Sequence, residues 1–230
     1  MIRTAALSLA TLAATLAAVA PANAAERRFD LSGFDRVALA GSDDVVVRHG
    51  SGFAVLATGE TADLDKLEIL VDKGVLKIGR KRGNWSWGGK TVTVAVTMPA
   101  LHGIAVAGSG NLKADRGEGE TFGLRVAGSG DADVAAIDAR TVNVDLSGSG
   151  DVAGGGRCGA LNIRIAGSGD VAFGNLKCTN TAISIAGSGD VAAHATGQAD
   201  IRIAGSGDVT ITGGAKCIKK VAGSGDVRCS

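Results

Sequence analysis

Tyrosine is absent from this chain of 230 residues, and proline, tryptophan, phenylalanine and cysteine are rare. With so few rings the chain cannot build a broad core around aromatics. It must bury many small Val, Ile, Leu and Ala side chains in a thin one. Neither sign of charge is in excess, with 24 Lys and Arg against 23 Asp and Glu. Net charge therefore implies neither nucleic acid nor an anionic membrane as partner. Beyond the first 24 residues no apolar run is long enough to span a bilayer as a helix, which takes about 20 residues. No CxxC pair occurs, and His49, His102 and His194 show no metal-ligand spacing. No nucleophile motif is present either. What the chain has instead is 36 glycines and plentiful aliphatics, a balance that argues against disorder.

The first residues read as an export signal. Arg3 forms the positive end, Leu7 to Ala20 is apolar and small, and Ala22-Asn23-Ala24 is a small-x-small cleavage site after Pro21. The expected division is a signal peptide over 1–24, a β cap over 25–101 and a repeat region over 102–230. Losing Arg3 takes the formal charge from +1 to about zero. No Cys lies near the cleavage site to carry a lipid anchor.

A repeat governs the second half. Ala107-Gly108-Ser109-Gly110-Asn111 returns six times, with serines at 129, 149, 168, 188, 206 and 224. The period is 18 to 20 residues. A degenerate copy, Ala40-Gly41-Ser42-Asp43-Asp44, lies near the start. Three residues before each serine stand Val106, Val126, Leu146, Ile165, Ile185, Ile203 and Val221. Five before stand Ile104, Leu124, Val144, Ile163, Ile183, Ile201 and Lys219. Polar or small residues alternate with them, which is the period of a strand. One such unit cannot bury its own apolar face; stacked units can. A propeller blade needs about 40 residues, so the period fits a coil of a solenoid. The expectation is an all-β, right-handed β-solenoid (β-helix-like) with an N-terminal β cap. Lys219, in an inward column, marks the last rung as open to solvent.

Alternation through Gly-Ser-Gly points both glycines inward and Ser and Asp outward. Glycine there permits a corner with close backbone approach. The other reading is a tight turn with positive φ, its Asp making an Asx cap. The corner is the favoured one. Cys158 and Cys178 fall nine and ten residues after their serines, so they belong on adjacent rungs. Rung spacing lies inside the Cα window of a disulfide. Cys217 and Cys229 then tie down the last rung.

The GSG-D/N repeats resemble the auto-transporter adhesin family with the head GIN domain. Phe34-Asp35-Arg36-Val37, Asp44-Val45-Val46-Val47, the turn Asp72-Lys73-Gly74 and Thr91 to Leu101 resemble the segments that lead into those repeats. The resemblance covers roughly Ser32 to Val227. It implies a solenoid-like fold, export to the periplasm or cell surface, and no established enzymatic activity. It is not extended to self-secretion, because an auto-transporter carries its own membrane barrel and none is read here.

Function is thus expected to be that of a non-enzymatic adhesin-like or structural module binding a surface glycan or protein. The alternatives are a calcium- or carbohydrate-binding module, or a carbohydrate-active β-helix enzyme. Two candidate sites stand out. Arg80, Lys81 and Arg82 beside Trp85 and Trp87 could stack on and neutralise a glycan. The repeat face offers Ser129, Asp131, Ser149, Asp151, Ser168, Asp170, Ser188, Asp190, Ser206, Asp208, Ser224 and Asp226. Its carboxylate column is the one place where calcium is conceivable, although the known calcium-binding repeat is shorter and differently spaced. Catalytic and metal residues are expected to be none.

Overall fold

The computed structural model describes residues 24–81 and 90–230. The leader read over residues 1–24 therefore lies outside the described residues save for Ala24. Strands β1 (Ala25–Phe29), β2 (Arg36–Gly41), β3 (Asp44–His49) and β4 (Ala54–Gly59) precede a single helical turn, α1 (Thr61–Leu64). Then come β5 (Leu67–Asp72), β6 (Val75–Arg80), β7 (Thr93–Met98) and β8 (Gly103–Gly108). Four long strands follow: β9 (Leu112–Gly128), β10 (Ala132–Gly148), β11 (Val152–Gly167) and β12 (Val171–Gly187). The last coils are β13 (Val191–Ala195), β14 (Gln198–Gly205), β15 (Val209–Thr212), β16 (Lys216–Gly223) and β17 (Val227–Cys229). All strands join one hydrogen-bonded sheet wound into a β-solenoid of about six turns.

The register is what the repeat columns demand. Ile163 pairs with Ile183, and Ile183 with Ile201, in parallel ladders. All three are buried and belong to one continuous aliphatic core. Each coil has an approach limb ahead of the Gly-Ser-Gly corner and a departure limb after it. Both alternate buried and outward residues.

Each corner uses its two glycines differently. The first of each pair has positive φ, from 122° at Gly108 to 144° at Gly205. The second, as at Gly130 and Gly169, is buried. The corner and the positive-φ turn are thus both realised, by different glycines. The deeper reason for glycine lies between coils. A Cβ on Gly128 would come within 2.3 Å of the Gly108 carbonyl oxygen. On Gly130 it would meet the Gly110 oxygen at 2.1 Å. Where one Gly-Ser-Gly corner stacks on another, backbone meets backbone and no side chain fits.

The segment before the repeats enters the stack out of sequence order. β2 pairs in parallel with both β6 and β8, and β3 with both β7 and β9. The coil β2–β3 is therefore inserted between two coils that come later in the chain. Its corner is the degenerate Gly41-Ser42-Asp43. The far edges of β6 and β7 are covered by antiparallel β5 and β4, with β1 outside β4. That closes the edge against further pairing. The β5–β6 hairpin turns at Lys73 (φ 50°) and Gly74 (φ 77°), as a two-residue turn with two positive φ angles requires.

The other end is open. In β16, Ile218 and Val221 are exposed, and so is Lys219. Lysines 216, 219 and 220 on this edge strand oppose pairing with another chain. The disulfide Cys217–Cys229 ties β16 to β17. The second, Cys158–Cys178, joins residues directly opposite in the β11–β12 ladder.

Candidate functional site

Serines 129, 149, 168, 188, 206 and 224 point outward at the corners, as do the aspartates two residues on. The aspartates do not make the Asx cap considered above. All but the last reach along the stack instead, and Asp226 Oδ1 accepts the main-chain N–H of the next residue, Val227, at 2.8 Å. Asp131 Oδ1 accepts the main-chain N–H of Asp151 at 2.9 Å, and Asp151 Oδ1 that of Asp170 at 2.9 Å. The ladder continues through Asp190, Asp208 and Asp226. It begins at the degenerate corner, where Asp44 Oδ1 accepts the main-chain N–H of Asn111 at 3.2 Å, and Asn111 Oδ1 in turn accepts that of Asp131. Neighbouring carboxylates one rung apart repel by about 1 kcal/mol in water. A hydrogen bond to a charged acceptor contributes about 1.5–3 kcal/mol, so the ladder is net favourable. Among the described residues, no group of three or more His, Cys, Asp or Glu is placed to hold a metal ion.

Of the basic cluster, only Arg80 and Lys81 are described; Arg82, Trp85 and Trp87 lie outside the described residues. Arg80 is engaged by protein. Asp43 occupies the position held by the second, inward glycine in the other corners and is fully buried. The Arg80 guanidinium binds it through Nε and Nη2, and reaches Asp63 at 3.5 Å. The bond to Asp43 raises the Arg80 guanidinium further above its usual range. Lys81 Nζ donates to the Asp65 carbonyl at 2.8 Å. Asp63 also accepts from Lys66 Nζ and from the main-chain N–H of Lys90. Those two hydrogen bonds, chiefly the one from Lys66, hold its carboxyl below the usual carboxylate range. The cluster pins both ends of the 81–90 segment to the cap.

A second surface emerges from the outward columns of the approach limbs. Two residues before each serine the side chain is Ala, or Ser at 147, and exposed. Four before it, the column runs Ala105, Arg125, Asp145, Arg164, Ser184, Arg202 and Lys220. Short residues between long ones leave depressions along this wall. They run into one another: successive ones share Arg125, then Arg164 and Ser184, then Arg202. The result is a shallow trough along the stack.

Its lower end encloses about 580 Å³. The floor is Gly103 and Gly123, and the rim includes Arg36, His102, Glu120 and Arg125. His102 Nδ1 lies 3.1 Å from Asp35 Oδ2, and its main-chain N–H donates to the Asp35 carbonyl at 2.7 Å. Sequence reasoning missed this pair because 67 residues separate its members. Above it, Asp145 sits between Arg125 and Arg164, 3.5 and 3.7 Å away. Among the described residues Arg202 and Lys220 form no ion pair. The trough carries a surplus of positive charge on a molecule that is close to neutral.

No match was found among curated proteins. Solved structures are similar in fold. A crystal structure described as a putative adhesin from Bacteroides fragilis NCTC 9343 superposes with TM-score 0.80 at 19% identity, over 91% of this chain and 98% of that one. A putative adhesin from Parabacteroides distasonis ATCC 8503 gives 0.73 at 19% identity, again over 91% and 98%. A protein described as a putative lipid binding protein, from the same organism, gives 0.70 at 20% identity and the same coverage. At such identities these likenesses establish the fold alone. The profile described as "Putative auto-transporter adhesin, head GIN domain" matches residues 33–215. That span takes in the inserted coil, the cap and most of the repeats, and the chain belongs to this family.

Proposed function

We propose that this chain is an exported, non-enzymatic adhesion module that holds an extended ligand against one wall of its solenoid. The trough along the approach limbs carries this reading, because among the described residues its depressions join over successive coils. Two disulfides fit an oxidising compartment, the periplasm or cell surface. The corner aspartates recur in near-equivalent positions and do not give the two differing environments that acid–base catalysis needs. The reading requires no cofactor.

The 81–90 segment is a second contact surface in this proposal. It is favoured by the way Asp43 and Asp63 hold Arg80 before it and Lys90 and Val92 at and after its far end. Trp85 and Trp87 would supply ring faces to a sugar.

The test is retention of the purified mature chain on bacterial surfaces and on glycan- or protein-coated plates, with release of cleaved product followed in parallel. Retention without product is expected. Product formation, or no retention on any surface, overturns the proposal. Replacing Trp85 and Trp87 together by alanine separates the loop's share from that of the wall.

A further inference from the structure

We infer that the trough takes a linear acidic polysaccharide, lying along the stack with its anionic groups on the arginine column; this rests on the adhesion reading above. The charge pattern points to the class. Arg125, Arg164 and Arg202 lie on alternate coils, which sets them about 10 Å apart at two rung spacings. Lys220 adds a cation on the coil after Arg202. A polysaccharide bearing one carboxylate or sulfate per disaccharide carries charge at a similar interval in extended form.

The local chemistry agrees. Asp145 draws on Arg125 and Arg164, but all three side chains are solvent-exposed. Exposed pairs of this kind are worth about 0–1 kcal/mol, so the guanidinium groups are free to turn to a ligand anion. Guanidinium bonds carboxylate and sulfate in a two-pronged geometry. The outward alanines and the glycine floor let a flat sugar ring approach the backbone. Asn143 and Asn162, hydrogen-bonded to each other at 2.9 Å on the same wall, offer amides to hydroxyl groups.

The depressions follow the stack axis in one line, which suits an extended chain laid along it. Duplex nucleic acid and anionic bilayers carry the same charge and serve as the comparators below.

The experiment measures binding of hyaluronan oligosaccharides, chitin oligosaccharides and polygalacturonate to the mature chain at low and physiological salt. Hyaluronan is expected to bind with an affinity that falls as salt rises, and chitin oligosaccharides to bind at least about 10-fold more weakly. The double variant Arg164→Ala/Arg202→Ala should lose about 10-fold or more, and Arg164→Lys/Arg202→Lys should recover part of it. Gly123→Glu should also weaken binding, since a Cβ there meets no atom within 4 Å and the acid enters the trough. Lys177→Ala, outside the trough, is the control with unchanged affinity. Equal affinity for neutral and acidic chains overturns the inference. So does full binding by the double variant, or stronger binding to duplex DNA or to phosphatidylglycerol vesicles. If the chain still adheres to cells but ignores every acidic glycan, this inference falls and the adhesion reading stands.

Discussion

At Gly169 a methyl group would lie 2.0 Å from the Gly150 carbonyl oxygen, and backbone cannot move aside within a stack. At Gly174, five residues on, the same methyl would meet nothing within 4 Å. Gly169→Ala should therefore destabilise by about 3 kcal/mol or more. Gly174→Ala should be neutral or stabilising by up to about 1 kcal/mol, since alanine loses less freedom on folding. Urea denaturation of both variants checks the pair. Thr181 shows the opposite case. It stands in the buried column of Val142 and Leu161, and its Oγ1 is the one buried side-chain oxygen or nitrogen without a partner among the described residues. Thr181→Val keeps the shape and removes the orphan hydroxyl, so it should stabilise by about 1 kcal/mol. A lower urea midpoint would contradict this.

Among single elements, the ends of the stack differ most. β16 has a partner on one side only, and its apolar positions are exposed. The Cys217–Cys229 bridge closes a short loop, which by chain entropy is worth about 3 kcal/mol. Cys217→Ser/Cys229→Ser should speed hydrogen exchange in β16 and β17 while β10 to β12 keep their protection. Uniform loss of protection would mean that the stack unfolds as one unit. At the other end, Asp63 links α1 to the strands. Its carboxyl is held below the ordinary value of 3.8, so its stabilisation is present above that pH and disappears as pH falls through the lowered value. The urea midpoint of the wild type should drop below about pH 4. Asp63→Asn should start lower at neutral pH and drop less over the same acid range. An equal acid drop in both proteins would remove Asp63 from the account.

Over the whole molecule, what could be read from sequence follows the physics of each position. Inward columns repeat because the core constrains them, so Ile163, Ile183 and Ile201 announced their alignment. The corner glycines and the Cys158–Cys178 pairing were legible for the same reason, since a fixed period converts offset into contact. The insertion of β2–β3 between later coils was not, because no local pattern states which coil neighbours which. The degenerate corner did hold one signal. Asp43 replaces an inward glycine, and a buried carboxylate requires a cation, which Arg80 supplies. The ladder role of the aspartates was hidden because an Asx cap and an inter-coil bond call for the same residue. The trough was hidden more deeply. Its outward columns vary from coil to coil, and His102 and Asp35 meet only through folding.

The most direct measurement is hydrogen exchange over the full chain with and without a saturating acidic oligosaccharide such as hyaluronan. Slower exchange is expected in the approach limbs 121–128, 160–167 and 198–205, with the departure limbs 132–138, 171–178 and 191–195 unchanged. Protection confined to the departure limbs or to the corner aspartates would contradict the account, because the ligand would then lie on a different wall.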